Sequence, residues 1–206
     1  MSFHEFLLQQ SAPILDDIYQ SSFVQGIGYN NLSQAQRDYY VAQDSYYTDY
    51  FSKLFDLTTA KLTPLQQASK PSATDEQDAH DALLASPAMS NITPDQHNLA
   101  YLKHMETAIT AGDATNAMLA LLPCTESYHL IGKHFLKATP NNTYEPWLSY
   151  YTSPEYQAFT QWSWQVIDQQ VPDWQQLSHE IQQTYLATYL TSYRYELTFW
   201  EHAAKH

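Results

Sequence analysis

Cysteine, glycine and basic residues are all scarce in this chain of 206 residues, and each scarcity removes a class of protein. One cysteine, Cys124, cannot close an internal disulfide, so no disulfide framework holds the fold. Four glycines, two of them in the run VQGIG, leave no Gly-rich phosphate loop and disfavour a turn-dense β architecture. Nine Lys and Arg against 22 Asp and Glu give a formal charge of -13, a field that repels phosphate backbones. No nucleic-acid partner is therefore expected. No apolar run is long enough to cross a bilayer, so no membrane partner is expected either. The opening MSFHEFLLQQ lacks the basic and long apolar regions of a secretory signal, and the expected location is the cytoplasm.

Aromatic side chains are plentiful, at 15%, and 17 of them are tyrosines. A phenol combines ring surface with a hydroxyl that needs a partner when buried. So many phenols suit either broad helix–helix contacts or a pocket lined with hydroxyls.

The pattern reads as helix after helix in one domain spanning residues 1–206. Helices are expected over 3–19, 34–60, 75–85, 94–111, 114–137, 144–151, 153–169 and 174–204. Ser2, Ser33 and Asp113 stand where N-caps belong, and Pro94 where a first helical turn begins. The stretch 62–74, LTPLQQASKPSAT, reads as a connection between helices. No segment alternates as a strand. The expected fold is an all-α bundle of about seven or eight helices.

Three residues draw the eye within these helices. Cys124, in LLPCTESY, lies one residue after a proline inside an otherwise helical stretch. It is either core filler or a working thiol. Pro123 cannot donate to the carbonyl four residues back, which bends the helix and makes room beside the sulfur. Asp44 shares a face with Tyr40, Tyr47, Phe51 and Leu54 at helical spacing. Such a carboxylate needs hydrogen-bond donors, from tyrosine hydroxyls of other helices or from a ligand. Glu196 shares a face with Tyr185, Tyr189, Ser192 and Phe199. Either it pairs with a base such as Arg194, or desolvation raises its proton affinity into the range of general acid–base work. Glu196 is the candidate base for Cys124.

Metal signals are weak. Glu126 and His129 form one E-x-x-H, where carboxylate-bridged di-iron bundles need two, and Glu76 and His80 lie four apart. No metal or organic cofactor is expected. His202 and His206 read as solvent-facing.

The chain resembles the thiaminase II, or TenA-type, aminopyrimidine aminohydrolases. The matching segments are SFVQGIG at 22–28, YYVAQDSYYTDYF at 39–51, LLPCTESYHLIGK at 121–133 and SYRYELTFW at 192–200, with weaker likeness at 101–105 and in WLSYYTS at 147–153. They span nearly the whole chain in the family's order. The resemblance implies a haem-oxygenase-like all-α fold and hydrolysis of the bond joining a pyrimidine-bearing methylene to its nitrogen. It assigns Cys124 as the nucleophile that adds to the ring and Glu196 as the proton carrier. Asp44 would bond the amidine-like edge and Tyr47 would stack on the ring, with Tyr101, Tyr128 and Tyr151 lining the site. The implied partners are a small pyrimidine or thiamine substrate and further copies of the chain, as a homotetramer. Departures occur at Thr125–Glu126, at Leu197 and at YNNL after QGIG. Glu126, so close in sequence to Cys124, would oppose thiolate formation unless it points outward. Two other classes compete: a non-catalytic binding or regulatory protein, and a metal-dependent oxygenase or haem binder on a similar scaffold.

Overall fold

The computed structural model describes residues 1–71, 77–83 and 93–206. The α-helices run in the order α1 (Phe3–Gln20), α2 (Ser22–Tyr29), α3 (Gln34–Thr59), α4 (Pro64–Ala68), α5 (Gln77–Leu83), α6 (Gln96–Ala111), α7 (Ala114–Phe135), α8 (Glu145–Tyr151), α9 (Pro154–Gln170) and α10 (His179–Ala203). A short 3-10 turn, Trp174–Gln176, precedes α10, and no strand occurs among the described residues. The all-α expectation holds. The elements beyond the expected seven or eight are short. One is α2, split from α1 at Ser21; the other is α4, inside the stretch read as a connection.

Local chemistry explains where the helices begin. The Ser2 and Ser33 side chains each accept from the backbone N–H three residues on, and Glu5 and Gln36 return the bond. These are capping boxes, each closing two otherwise orphaned donors. Thr63 and Gln66 do the same for α4, with Pro64 in its first turn. Asp113 caps α7, and Ser153 caps α9 ahead of Pro154. At α6 the extended Asp95 is the residue before the helix, which leaves Pro94 outside the first turn rather than in it. The helix α2 ends at Asn30 in the left-handed conformation (φ 60°), which asparagine tolerates better than most residues.

Around α7 the rest is assembled. Of its residues, only Ala114, Cys124, Leu130, Lys133 and His134 escape full burial. Side chains such as Leu119, Leu122 and Ile131 each contribute about 1.5–3 kcal/mol by leaving water. One face of α7 joins α1, α2, α8, α9 and α10 in the larger apolar cluster. Another joins Tyr47 and Leu54 of α3 and Tyr101, Leu102 and Met105 of α6 in a smaller one, against which Cys124 packs. At Gly132 a Cβ would stand 2.9 Å from Thr152 Cγ2 and 3.1 Å from the Leu148 carbonyl oxygen. The missing side chain is what lets α8 close onto α7.

Candidate active site

Two hydrogen bonds set how α10 lies along α7. Thr188 donates to the Asn116 side chain at 2.8 Å, and Ser192 donates to the Ala120 carbonyl at 2.8 Å; both pairs are 72 residues apart. Equal steps of four residues on both helices mean that the two run parallel. One further turn along the same register brings α7 to Cys124 and α10 to Glu196.

Two phenols link that pair. The Tyr101 hydroxyl of α6 donates to Glu196 Oε1 at 2.8 Å. The Tyr47 hydroxyl of α3 hydrogen-bonds to Cys124 and lies 3.8 Å from Met105 Sδ. The Tyr47 and Tyr101 rings meet with centroids 5.4 Å apart. Burial, with the Cys124 and Glu196 charges behind it, holds both phenols well above their ordinary range. Cys124 is half-buried between buried neighbours on both sides, and its sulfur has the Tyr47 hydroxyl as a polar partner. The helix continues through Pro123 to Phe135.

Glu196 is buried, and desolvation pushes its carboxyl up to about 8. The Tyr101 bond works against that rise, and the nearby Asp44 charge adds to it. Its partner is therefore a phenol. Arg194 is exposed and forms no ion pair with it among the described residues.

Asp44 already holds three donors. Its Oδ2 accepts from Tyr40 at 3.0 Å and from His80 Nε2 at 2.7 Å, and its Oδ1 accepts from Tyr128 at 3.2 Å. Bonding by tyrosine hydroxyls is one of the two sequence expectations for Asp44. Nothing in the sequence points to His80 here. Spacing pairs it with Glu76, which lies outside the described residues; 36 positions separate His80 from Asp44, and α5 carries no signal that local periodicity could detect. Tyr40 likewise proves to be a member, receiving Trp147 Nε1 at 3.4 Å. Tyr151 of α8 lies against Tyr128, ring centroids 4.9 Å apart, and so joins the site through that ring.

Glu126 does not face the thiol. It is fully buried on another side of α7, where Trp164 Nε1 donates to it at 2.5 Å, Tyr193 at 2.5 Å, and Tyr189 also donates. His129 Nδ1 meets the Tyr151 carbonyl at 2.8 Å, so the two ends of the E-x-x-H serve different partners. No group of three or more metal-type side chains gathers among the described residues. His206 is exposed, but its ring stacks on Tyr39; His202 is only partly exposed and stacks on His97 at 4.0 Å, against the solvent-facing reading. No described helix is long and apolar enough to cross a membrane.

The chain that builds this bundle has known relatives. The TENA/THI-4/PQQC family model matches residues 84–206, and the chain belongs to that family. An aminopyrimidine aminohydrolase of Halalkalibacterium halodurans is 30% identical over 217 residues, covering 98% of this chain and 96% of its own. One of Bacillus subtilis is 25% identical, covering 97% and 89%. A solved structure, the TenA homologue of P. horikoshii OT3, shares the fold with a TM-score of 0.81 at 23% identity, covering 100% of this chain and 99% of its own.

Proposed function

We propose that this chain is an aminopyrimidine aminohydrolase of the thiaminase II type, acting as one helical domain over residues 1–206. It hydrolyses 4-amino-5-aminomethyl-2-methylpyrimidine, and also thiamine, to 4-amino-5-hydroxymethyl-2-methylpyrimidine. The Cys124 thiolate adds to the pyrimidine ring, and Glu196 supplies the proton that the ring takes up. Loss of aromaticity then lets the ring expel ammonia, or the thiazole of thiamine, from the methylene carbon. Water adds to that carbon and gives up one proton to solvent, and departure of the sulfur as thiolate with return of the ring proton to Glu196 restores the ring. Covalent addition divides one hard displacement into easier steps.

The single observation behind this reading is the linked set Cys124–Tyr47–Tyr101–Glu196. A buried acid whose carboxyl sits near 8 is matched to proton transfer near neutral pH. Asp44, held by Tyr40, Tyr128 and His80, presents a fixed acceptor for the exocyclic amine. Tyr47 supplies a ring face, and Tyr101, Tyr128 and Tyr151 complete the walls. In the cytoplasm this reaction serves thiamine salvage, and the working form is a homotetramer. The test is incubation with aminomethylpyrimidine and with thiamine, followed by chromatography of the products. Formation of the hydroxymethylpyrimidine from either supports the reading. Binding of both compounds without turnover refutes it and leaves a pyrimidine-binding protein.

A further inference from the structure

The catalytic set does not use Glu126, although it is the most completely buried acid among the described residues. It lies two residues beyond Cys124, which places it about 200° around the helix from the sulfur. Its three donors come from two helices. Trp164 belongs to α9; Tyr189 and Tyr193 belong to α10. Tyr193 is one helical turn before Glu196. Behind this network Ser11 of α1 meets the Tyr189 hydroxyl at 3.4 Å. His4 stacks on Trp164 at 5.2 Å and pairs with Asp168 at 2.5 Å. The titratable and charged groups around Glu126 are thus Tyr189 and Tyr193 of α10, His4 and Tyr19 of α1, and Asp168 of α9.

The rungs Asn116–Thr188 and Ala120–Ser192 fix the register of α10 on α7 only as far as Ser192. Farther along α7, on the side away from Cys124, Glu126 adds a hydrogen-bonded tie that grips α10 on either side of Ser192, through Tyr189 before it and Tyr193 after it. We propose that Glu126 is a positioning residue: through Tyr189 and Tyr193 it clamps α10 to α7 so that Glu196 stands level with Cys124. This rests on the aminohydrolase reading for its kinetic consequence, but not for its geometric one. The α10 legs of the clamp set the alignment; the Trp164 leg secures α9, which carries no residue of the site.

The test compares Tyr189→Phe/Tyr193→Phe, which removes both α10 legs at nearly constant volume, with Trp164→Phe, which removes the α9 leg. The first readout is the rate at which iodoacetamide alkylates Cys124 across pH 6–10. A Glu196 carboxylate linked to the sulfur through Tyr101 and Tyr47 adds an inflection near 8 that Glu196→Gln abolishes. The double variant should lose or displace that inflection and Trp164→Phe should keep it. The second readout is turnover of aminomethylpyrimidine. The double variant should lose kcat by about tenfold or more with KM little changed, because a small displacement between reacting groups is costly. Trp164→Phe should keep both constants. A folded double variant with wild-type kcat and a wild-type alkylation profile overturns the proposal, as do equal losses in both variants. If the double variant does not fold, Tyr193→Phe alone decides, a wild-type profile again counting against the clamp. A wild-type protein that turns over neither compound removes the aminohydrolase reading, while the alkylation profiles still decide the alignment.

Discussion

Tyr101 donates its hydroxyl to Glu196 across 2.8 Å, joining α6 to α10 inside the site. Burial drives the Glu196 carboxyl up to about 8, and this one bond restrains the rise. If protonated Glu196 delivers the proton during addition, kcat/KM falls as pH climbs through about 8. Removing the bond in Tyr101→Phe shifts that alkaline limb to higher pH. A pH–rate profile of both proteins measures it, and a limb that stays in place or moves down shows that Glu196 does not set it.

The same group makes stability depend on pH. Folded Glu196 keeps its proton up to about 8, whereas an ordinary glutamate gives it up near 4.5. Between those values the folded state binds more protons than the unfolded one, so stability declines as pH rises across the window. Glu196→Gln carries no ionisation. It should match the wild type near pH 5 and exceed it near pH 9 by a few kcal/mol, since each tenfold change in proton affinity is worth about 1.4 kcal/mol. Urea midpoints at the two pH values decide this, and equal midpoints at pH 9 contradict the burial argument.

Cys124→Ser keeps the shape of the site and replaces a good nucleophile with a poor one. Turnover should drop on the order of a thousandfold or more, with hydroxymethylpyrimidine still bound. Isothermal titration beside the product assay separates the two effects. A serine variant with undiminished turnover eliminates covalent catalysis at this position.

Asp44→Ala leaves three donors, on Tyr40, His80 and Tyr128, facing a void. A buried donor left without an acceptor costs about 1–3 kcal/mol, so denaturant midpoints should fall. Affinity for hydroxymethylpyrimidine should fall by about tenfold to a hundredfold, the equivalent of one charged hydrogen bond. An unchanged affinity in the folded variant would mean that the carboxylate serves only the three internal donors.

Much of this was visible in local pattern. Ser2, Ser33 and Asp113 announce helix starts because a side-chain oxygen at that point satisfies a backbone donor a few residues away. Asp44 and Glu196 stood out because an acid among rings at helical spacing is costly without a purpose. Glu126 misled as a neighbour in sequence: two residues along a helix point to nearly opposite sides, and its three donors lie 38 to 67 residues away. Tyr40 was visible only as a core phenol, and α4 was hidden by its two-proline, small-polar setting.

Composition and periodicity by themselves determined an all-helical chain without a disulfide framework, whose few acids on aromatic faces were candidates for chemistry. Those are properties of neighbours within a turn or two, where spacing of 3.6 residues decides which side chains share a face. Only the tertiary structure decided that α10 lies parallel to α7 with 72 residues between partners, and that His80 closes on Asp44 from a separate short helix. Such pairings depend on how whole helix faces pack and which buried donors find acceptors. No local window of the chain contains both halves of that choice.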